Sequence, residues 1–352
     1  MDILDDPNAQ SQLDRQQLLL ALRDLPRQCE AAWEEAQSLS LPESYRGIEK
    51  IIVAAVGGSA IAGDYLRQLL AEGSQVPVFS HRGYGFPSYV DSHSLVIASS
   101  YSGETEETLS ALMATLPSEA KPLVITSGGR LLAVAQEEGL PHFVITYSSQ
   151  PRCALGYSLM PLLAAAERVG ALSGAAEMIA EAVAAMRRRF AEINEDVPLT
   201  ENPAKQLAQR LQGKLPVVYG GDVMREVVRR WKTQLNENAK VWAFTEILPE
   251  ANHNALAAYR LPASVAKNVF VVLLKPAGLH PRIERRYAFT QEALAEAHVE
   301  SEAIEAAPGG TLAQMLDMTF FGDYVSYYLA ILNGVDPTSI EPIERIKESL
   351  KR

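Results

Sequence analysis

Short apolar segments with the character of β-strands alternate with helical segments, and this alternation occurs twice along the chain. Strands are predicted at 51–56, 76–79, 95–98, 123–126 and 143–146, and again at 215–219, 241–244, 269–274 and 299–304. Strands that are apolar throughout are buried on both faces, and intervening helices supply the crossover connections of a parallel sheet. The sequence therefore predicts an α/β fold with two doubly wound domains, each a mainly parallel sheet flanked by helices.

The length of 352 residues also favours two domains, since a domain typically has about 100–200 residues. We expect a helical N-terminal arm at 1–46, a first domain at 47–170 and a connecting helix at 171–200. A second domain with a C-terminal helix follows at 201–352. The two domains repeat a pattern of elements rather than residue identities, which is typical of an internal duplication.

The charge balance limits the partners of the chain. It carries 32 basic and 43 acidic residues, a formal charge of -11, and an acidic surface repels nucleic acid and anionic lipid. The N-terminus lacks the pattern of a signal peptide, and the apolar runs are too short to span a membrane. Cys29 and Cys153 have no metal-binding or disulfide spacing, so we expect a cytoplasmic protein without nucleic-acid or membrane partners.

A glycine turn follows the first predicted strand. Gly57, Gly58 and Ser59 stand between this strand and a helix. Glycines allow backbone amides to approach an anion, and a helix N-terminus favours negative charge. The alternative interpretation is an ordinary tight turn.

A second polar turn follows the third predicted strand and contains Ser100, Ser102 and Thr105. Three hydroxyls at this spacing can donate to the oxygens of a phosphate, whereas the alternative, a helix N-cap, needs one hydroxyl. The turn has no lysine or arginine, so binding is expected to depend on neutral donors, with Glu104 pointing away from the phosphate. Both turns lie at carboxyl ends of strands, where open α/β sheets bind ligands, and neither has a nucleotide-binding pattern.

The GGSA and SYSGET turns resemble the sugar isomerase (SIS) domain. Further motifs, in PRCALGY, RWKTQLNENAK, EANHN and DPTSIEPIERIKESL, look like the bifunctional phosphoglucose/phosphomannose isomerase family, and the resemblance covers nearly the whole chain. It implies two SIS-type domains and a metal-independent isomerase without a cofactor. Its expected substrates are glucose 6-phosphate, mannose 6-phosphate and fructose 6-phosphate, interconverted through a cis-enediol in glycolysis or gluconeogenesis.

The resemblance also implies residue roles. The phosphate ligands of the family match Ser59, Ser100, Ser102 and Thr105, with Gly57 and Gly58 shaping the first turn. Glu104 departs from the family pattern, which commonly has a neutral residue at this position.

The catalytic residues of the family match four further positions. The general base of the family matches Glu237. Its ring-opening histidine matches His253, and its arginine near the reacting carbons matches Arg152. The active-site lysine matches Lys347, with Lys351 as a weaker match. A homodimer is implied, with His253 reaching the site of the neighbouring subunit.

These residue types suit proton transfer between C1 and C2. A buried carboxylate such as Glu237 can act as the base, His253 can protonate a ring oxygen, and Arg152 can stabilise an enediolate. The alternatives are a surface acid at a helix end, an ordinary loop histidine, an exposed arginine at a helix start and, for Lys347, an exposed lysine. Small Thr338 is expected to leave room for the C2 end of either epimer.

Two other classes of protein compete with this interpretation. No second histidine or suitably spaced carboxylate accompanies His253, which argues against a zinc-dependent route. A non-catalytic phosphosugar sensor is expected to need an output module, and the acidic arm at 1–46 is a poor DNA-binding element. Other SIS enzymes, linked to an amidotransferase or acting on phosphoheptoses, need features that the sequence lacks.

Overall fold

A computed structural model describes residues 2–71 and 73–350, with the side chain of residue 350 excepted. The helices are α1 Pro7–Leu13, α2 Leu18–Arg23, α3 Leu25–Ala36, α4 Ala60–Leu70, α5 Glu106–Thr115, α6 Gly129–Glu137, α7 Leu155–Arg168, α8 Ala175–Ile193, α9 Pro203–Leu211, α10 Val227–Glu237, α11 Ala263–Ala266, α12 Pro281–Glu296, α13 Thr311–Leu332 and α14 Glu341–Leu350. The strands are β1 Lys50–Ala54, β2 Val78–His81, β3 Ser94–Ser99, β4 Lys121–Thr126, β5 His142–Val144, β6 Leu215–Gly221, β7 Phe244–Leu248, β8 Val269–Lys275 and β9 Glu300–Glu305.

The first sheet has the strand order β2-β1-β3-β4-β5, and each of its ladders is parallel. All six residues of β3 are buried, which explains why this strand shows no alternation of apolar and polar residues. The strand order reverses between β1 and β3. This position is the topological switch point, outside which doubly wound sheets form a ligand-binding crevice.

The second sheet has the order β7-β6-β8-β9, again with parallel ladders. Its core contains Tyr219, Leu248, Leu273 and Leu294. The order repeats that of the first sheet with one strand fewer, as expected for a duplicated plan. Charged residues at both ends of the edge strand β9 discourage pairing with another chain.

The chain divides into two compact units. One, the first-sheet unit, consists of Asp24–Ala184 and Gly310–Ala313. The other, the second-sheet unit, consists of Met1–Arg23, Ala185–Gly309 and Gln314–Arg352. The predicted arm at 1–46 and the predicted connecting helix at 171–200 are therefore each divided between the two units. The domain boundaries given in the sequence analysis stay predictions.

The predicted α/β class and the two parallel sheets are confirmed. The strand predicted at 241–244 is misplaced, because β7 begins at Phe244. Trp242 is 78% exposed and Phe244 is 51% exposed, so this apolar run marks a surface rather than a buried strand. Within the described residues, no helix has the length and apolar character needed to cross a membrane.

Candidate active site

The turns after β1 and β3 lie side by side at the carboxyl edge of the first sheet. Ala54 of β1 pairs with Ala98 of β3, so the two strands deliver the following turns to the same place. A hydrogen bond joins the turns directly, since the Tyr101 amide donates to Ser59 Oγ at 3.1 Å. The switch point of the first sheet therefore holds both of the polar turns that the sequence singles out.

Two glycines shape the first turn for different reasons. Gly57 has a φ of +60°, a conformation that L side chains rarely adopt. Gly58 faces another segment, because a Cβ at this position would lie 3.0 Å from the amide nitrogen of Arg152. Ser59 ends the turn and is 5% exposed, and α4 follows it directly.

The second turn is held by hydrogen bonds among its own polar groups. Ser100 Oγ lies 2.8 Å from Thr105 Oγ1 and accepts the Gly103 amide at 3.2 Å. Thr105 occupies the N-cap position of α5, yet its side chain caps no helix amide. Amides in the first turn of a helix have no intrahelical acceptor. This arrangement differs from the N-cap alternative and suits an anion at the start of α5.

The acidic residue in the second turn is engaged by a neighbouring helix. The Glu104 carboxylate accepts the Arg130 amide at 2.8 Å and Arg130 Nε at 2.9 Å, at the start of α6. Both side chains are at least half exposed, so this ion pair contributes little stability. Its effect is to offset the charge of Glu104 next to the turn.

Arg152 belongs to a turn that packs on the glycine turn. Pro151–Cys153 form a 3₁₀ turn, and the backbone of Arg152 meets Gly58. Arg152 is 2% exposed, so the alternative of a solvent-exposed residue at a helix start is wrong. The expectation of neutral phosphate donors stays a prediction, because the contact that folding makes is between the backbone of Arg152 and Gly58, which are 94 residues apart in the chain.

The second sheet has an equivalent switch point, but a side chain closes it. Tyr287 from α12 is 1% exposed, accepts the Gly221 amide at 2.9 Å and donates to the Leu274 carbonyl at 2.9 Å. It thus connects the ends of β6 and β8. Burial raises the pKa of Tyr287, so the phenol keeps its proton and remains a donor. The turn after β6 is therefore built differently from the two polar turns of the first sheet.

Glu237 is the last residue of α10 and is half-buried. The helix is fixed in the second-sheet unit by the buried ion pair of Arg230 and Asp323, with Nη2 and Oδ2 2.8 Å apart. Trp231 Nε1 also donates to the Met318 carbonyl at 2.8 Å. These two contacts join α10, whose last residue is Glu237, to α13.

A groove of about 790 Å³ opens beside Glu237. It is lined by Lys232, Asn236, Glu237, Lys240, Val241, Trp242, Ala243, Phe244, Ser339, Ile340, Glu341, Pro342 and Ile343. Glu237 therefore borders a space of ligand size, and its role as a base stays a prediction. Sequence reasoning assigned Trp242 and Phe244 to a buried strand and so missed their place in this groove.

His253 ends a 3₁₀ turn that follows β7 and is exposed. Its neighbours are fixed: Asn252 Nδ2 donates to Thr290 Oγ1 at 2.8 Å, and Asn254 Oδ1 accepts the Ala255 amide at 2.6 Å. The flanking asparagines thus anchor the turn and present the imidazole outwards.

The remaining candidates lie near the C-terminus. Thr338 is 3% exposed and directly precedes the residues that line the groove. Lys347 lies on α14 and is exposed, whereas Lys351 lies outside the described residues. Across 2–71 and 73–350, no group of three histidine, cysteine or acidic residues has an arrangement that could hold a metal ion.

Comparisons with known proteins match both halves of the chain. Residues 200–350 match the bacterial phospho-glucose isomerase C-terminal SIS domain, and residues 44–134 match the SIS domain. This confirms the predicted pair of SIS-type domains. A bifunctional phosphoglucose/phosphomannose isomerase of Caldicellulosiruptor bescii is 36% identical over 328 residues, covering 93% of this chain and 97% of the relative.

Two further similarities widen the comparison. A D-glucosamine-6-phosphate 4-epimerase of Sulfolobus acidocaldarius is 31% identical over 245 residues, 69% of this chain and 74% of that protein. The structure of a hypothetical protein of Thermus thermophilus superposes with a TM-score of 0.76, covering 98% of this chain and 93% of that structure. At 18% identity, that likeness shows the fold alone.

Proposed function

The chain belongs to the bifunctional phosphoglucose/phosphomannose isomerase family, and we propose that it interconverts glucose 6-phosphate and mannose 6-phosphate with fructose 6-phosphate. The observation that carries the proposal is the pair of hydroxyl-bearing turns at the switch point of the first sheet. Ser59, Ser100, Ser102 and Thr105 supply the hydroxyls, and the start of α5 supplies backbone amides. Such a site suits the phosphate group that all three sugars share.

The proposed reaction moves a proton between C1 and C2 through a cis-enediol. Glu237 takes the proton, and Arg152, whose charge is permanent, stabilises the enediolate oxygen. His253 opens the sugar ring by protonating its oxygen, and Lys347 supplies a further positive charge. A general base of this kind typically increases the reaction rate by about 10²–10⁴-fold, and a donor to the oxyanion increases it by about 10²–10³-fold. The scheme routes no step through a metal ion or a cofactor.

Dual specificity follows from the shared enediol of the two aldoses. They differ only at C2, so a pocket in which the C2 end rotates can present either hydrogen to Glu237. Thr338, next to the groove residues, has the small side chain that this rotation needs. A Thr338→Gln variant is therefore expected to change the ratio of mannose to glucose 6-phosphate formed.

The proposal includes a cytoplasmic homodimer that acts in glycolysis or gluconeogenesis. The outward position of His253 supports a role across a subunit interface, since the turn is anchored by Asn252 and Asn254 while the imidazole is exposed. Mixing a His253→Ala variant with a Glu237→Gln variant tests this arrangement. Mixed dimers with one intact site regain turnover only if the histidine comes from the partner.

The decisive assay incubates the EDTA-treated protein with fructose 6-phosphate and quantifies glucose and mannose 6-phosphates. Both products are expected; binding without products would favour a phosphosugar sensor. A parallel incubation with glucosamine 6-phosphate tests the C4 epimerisation named for one relative.

Glu237→Gln should bind substrate but lose at least about 10²-fold in kcat. Glu296→Gln is the matched control, because it removes an exposed acid from the end of another helix, α12. Equal turnover in both variants would show that Glu237 is not the base.

A further inference from the structure

Tyr101 lies between two serines of the second polar turn, and its backbone and its phenol make different connections. Its amide donates to Ser59 Oγ at 3.1 Å, and its carbonyl accepts Ser127 Oγ at 2.6 Å. These backbone bonds hold the phosphate turn and do not depend on the identity of the side chain. The phenol is therefore the part of Tyr101 that needs a separate explanation.

The phenol of Tyr101 spans from the phosphate turn to another segment of the first-sheet unit. It donates to the Tyr147 carbonyl at 2.7 Å and accepts the Ser149 amide at 2.8 Å. Both distances are those of good hydrogen bonds. One hydroxyl thus fixes the backbone on both sides of residue 148, although no local hydrogen bond of a strand or helix orders this stretch.

The segment fixed by Tyr101 leads directly into the Arg152 turn. The 3₁₀ turn begins two residues after Ser149, and the Cys153 amide closes it by donating to the Gln150 carbonyl at 2.8 Å. The same turn packs closely against Gly58, where a Cβ would lie 3.0 Å from the Arg152 amide nitrogen. The Arg152 backbone is thereby held from two sides, by Gly58 and by the segment that Tyr101 anchors.

We infer that the Tyr101 phenol is a positioning residue that sets Arg152 relative to the phosphate turn. This inference rests on the proposed function, because Tyr101 is taken to act by positioning Arg152, which stabilises the transition state in the proposed reaction. Phosphate binding depends on the hydroxyls and amides of the two turns, whose contacts do not involve the phenol. Loss of the phenol should therefore lower turnover and leave ground-state binding intact.

Tyr101→Phe removes only the hydroxyl and keeps the ring. We expect kcat with fructose 6-phosphate to fall roughly 10-fold, because small misplacements of a catalytic group have effects of this size or larger. KM and the inhibition constant of inorganic phosphate should change less than about twofold. Tyr84→Phe is the control, since it removes an exposed phenol that donates to Glu106 on α5 at 3.2 Å.

A double-mutant cycle with Arg152→Ala separates positioning from general destabilisation. If Tyr101 acts through Arg152, Tyr101→Phe should cause no further loss in the Arg152→Ala background. Arg152→Lys serves in the cycle if thermal unfolding shows that the alanine variant is not folded.

Equal losses in both backgrounds, or a raised KM with an unchanged kcat, would overturn the inference. So would full activity of the folded Arg152 variant. Failure of the proposed function is recognised separately, because the wild-type protein would then form no aldose from fructose 6-phosphate.

Discussion

At Gly103, the backbone conformation and the close packing both require glycine. It has a φ of +70°, and a Cβ there would lie 1.9 Å from the Gly128 carbonyl oxygen and 2.9 Å from Thr126 Oγ1. Real Cβ atoms essentially never come within 3.0 Å of another heavy atom. Gly103→Ala must therefore move the second polar turn away from the 126–128 loop by about 1.1 Å, the difference between 3.0 and 1.9 Å.

The expected cost has two parts. An L residue in the left-handed conformation costs roughly 1–2 kcal/mol, and overpacking of a tight contact typically adds about 1–3 kcal/mol. Gly139 is the matched control, because its φ is +64° and its Cβ position has no atom within 4 Å. Gly139→Ala should show only the first part, so the variants should differ by about 1–3 kcal/mol.

Two measurements test this difference. In thermal unfolding, Gly103→Ala should melt roughly 2–12 °C below Gly139→Ala, given about 2–4 °C per kcal/mol for a domain of this size. In steady-state kinetics, only Gly103→Ala should raise the KM for fructose 6-phosphate, by about 10-fold or more. The reason is that the Gly103 amide donates to Ser100 Oγ, so a displaced turn moves a proposed phosphate ligand.

If both alanine variants melt at the same temperature and keep the wild-type KM, the close approach of Gly103 to Gly128 does not constrain the turn. If instead Gly103→Ala melts lower but keeps the wild-type KM, the assignment of the 100–105 turn to phosphate binding loses support, because the turn has then moved without effect on the substrate.

Two further predictions concern buried groups outside the site. Burial raises the pKa of the Cys29 thiol from 9.0 to about 12, so iodoacetamide at pH 8 should alkylate Cys29 about 10³-fold more slowly in the native than in the unfolded protein. Because the folded-state pKa is raised, the contribution of Cys29 to stability is complete below pH 9 and declines towards pH 12; equal alkylation rates would refute this. Tyr287→Phe should lower the free energy of unfolding by about 1–3 kcal/mol, since it leaves buried backbone groups of β6 and β8 without their phenol partner. It should leave the KM for fructose 6-phosphate unchanged, and a raised KM would show that the second switch point takes part in binding.

The sequence determined the fold class and the location of the polar turns, because both follow from local patterns. Apolar runs of strand length alternating with helices predict parallel sheets, and two parallel sheets are found. Glycine and hydroxyl residues after strands predicted the turns that now lie at the switch point of the first sheet. The same local reasoning failed at 241–244, since an apolar run does not reveal whether it faces a core or a groove.

The tertiary structure alone decided which of these segments meet. Only folding brings the Arg152 turn against Gly58, links Tyr101 to Tyr147 and Ser149, and fills the second switch point with Tyr287. Such contacts join residues far apart in the chain, and periodicity carries information only about near neighbours. The sequence therefore specified the chemical groups, whereas packing of the sheets and helices fixed the distances between them.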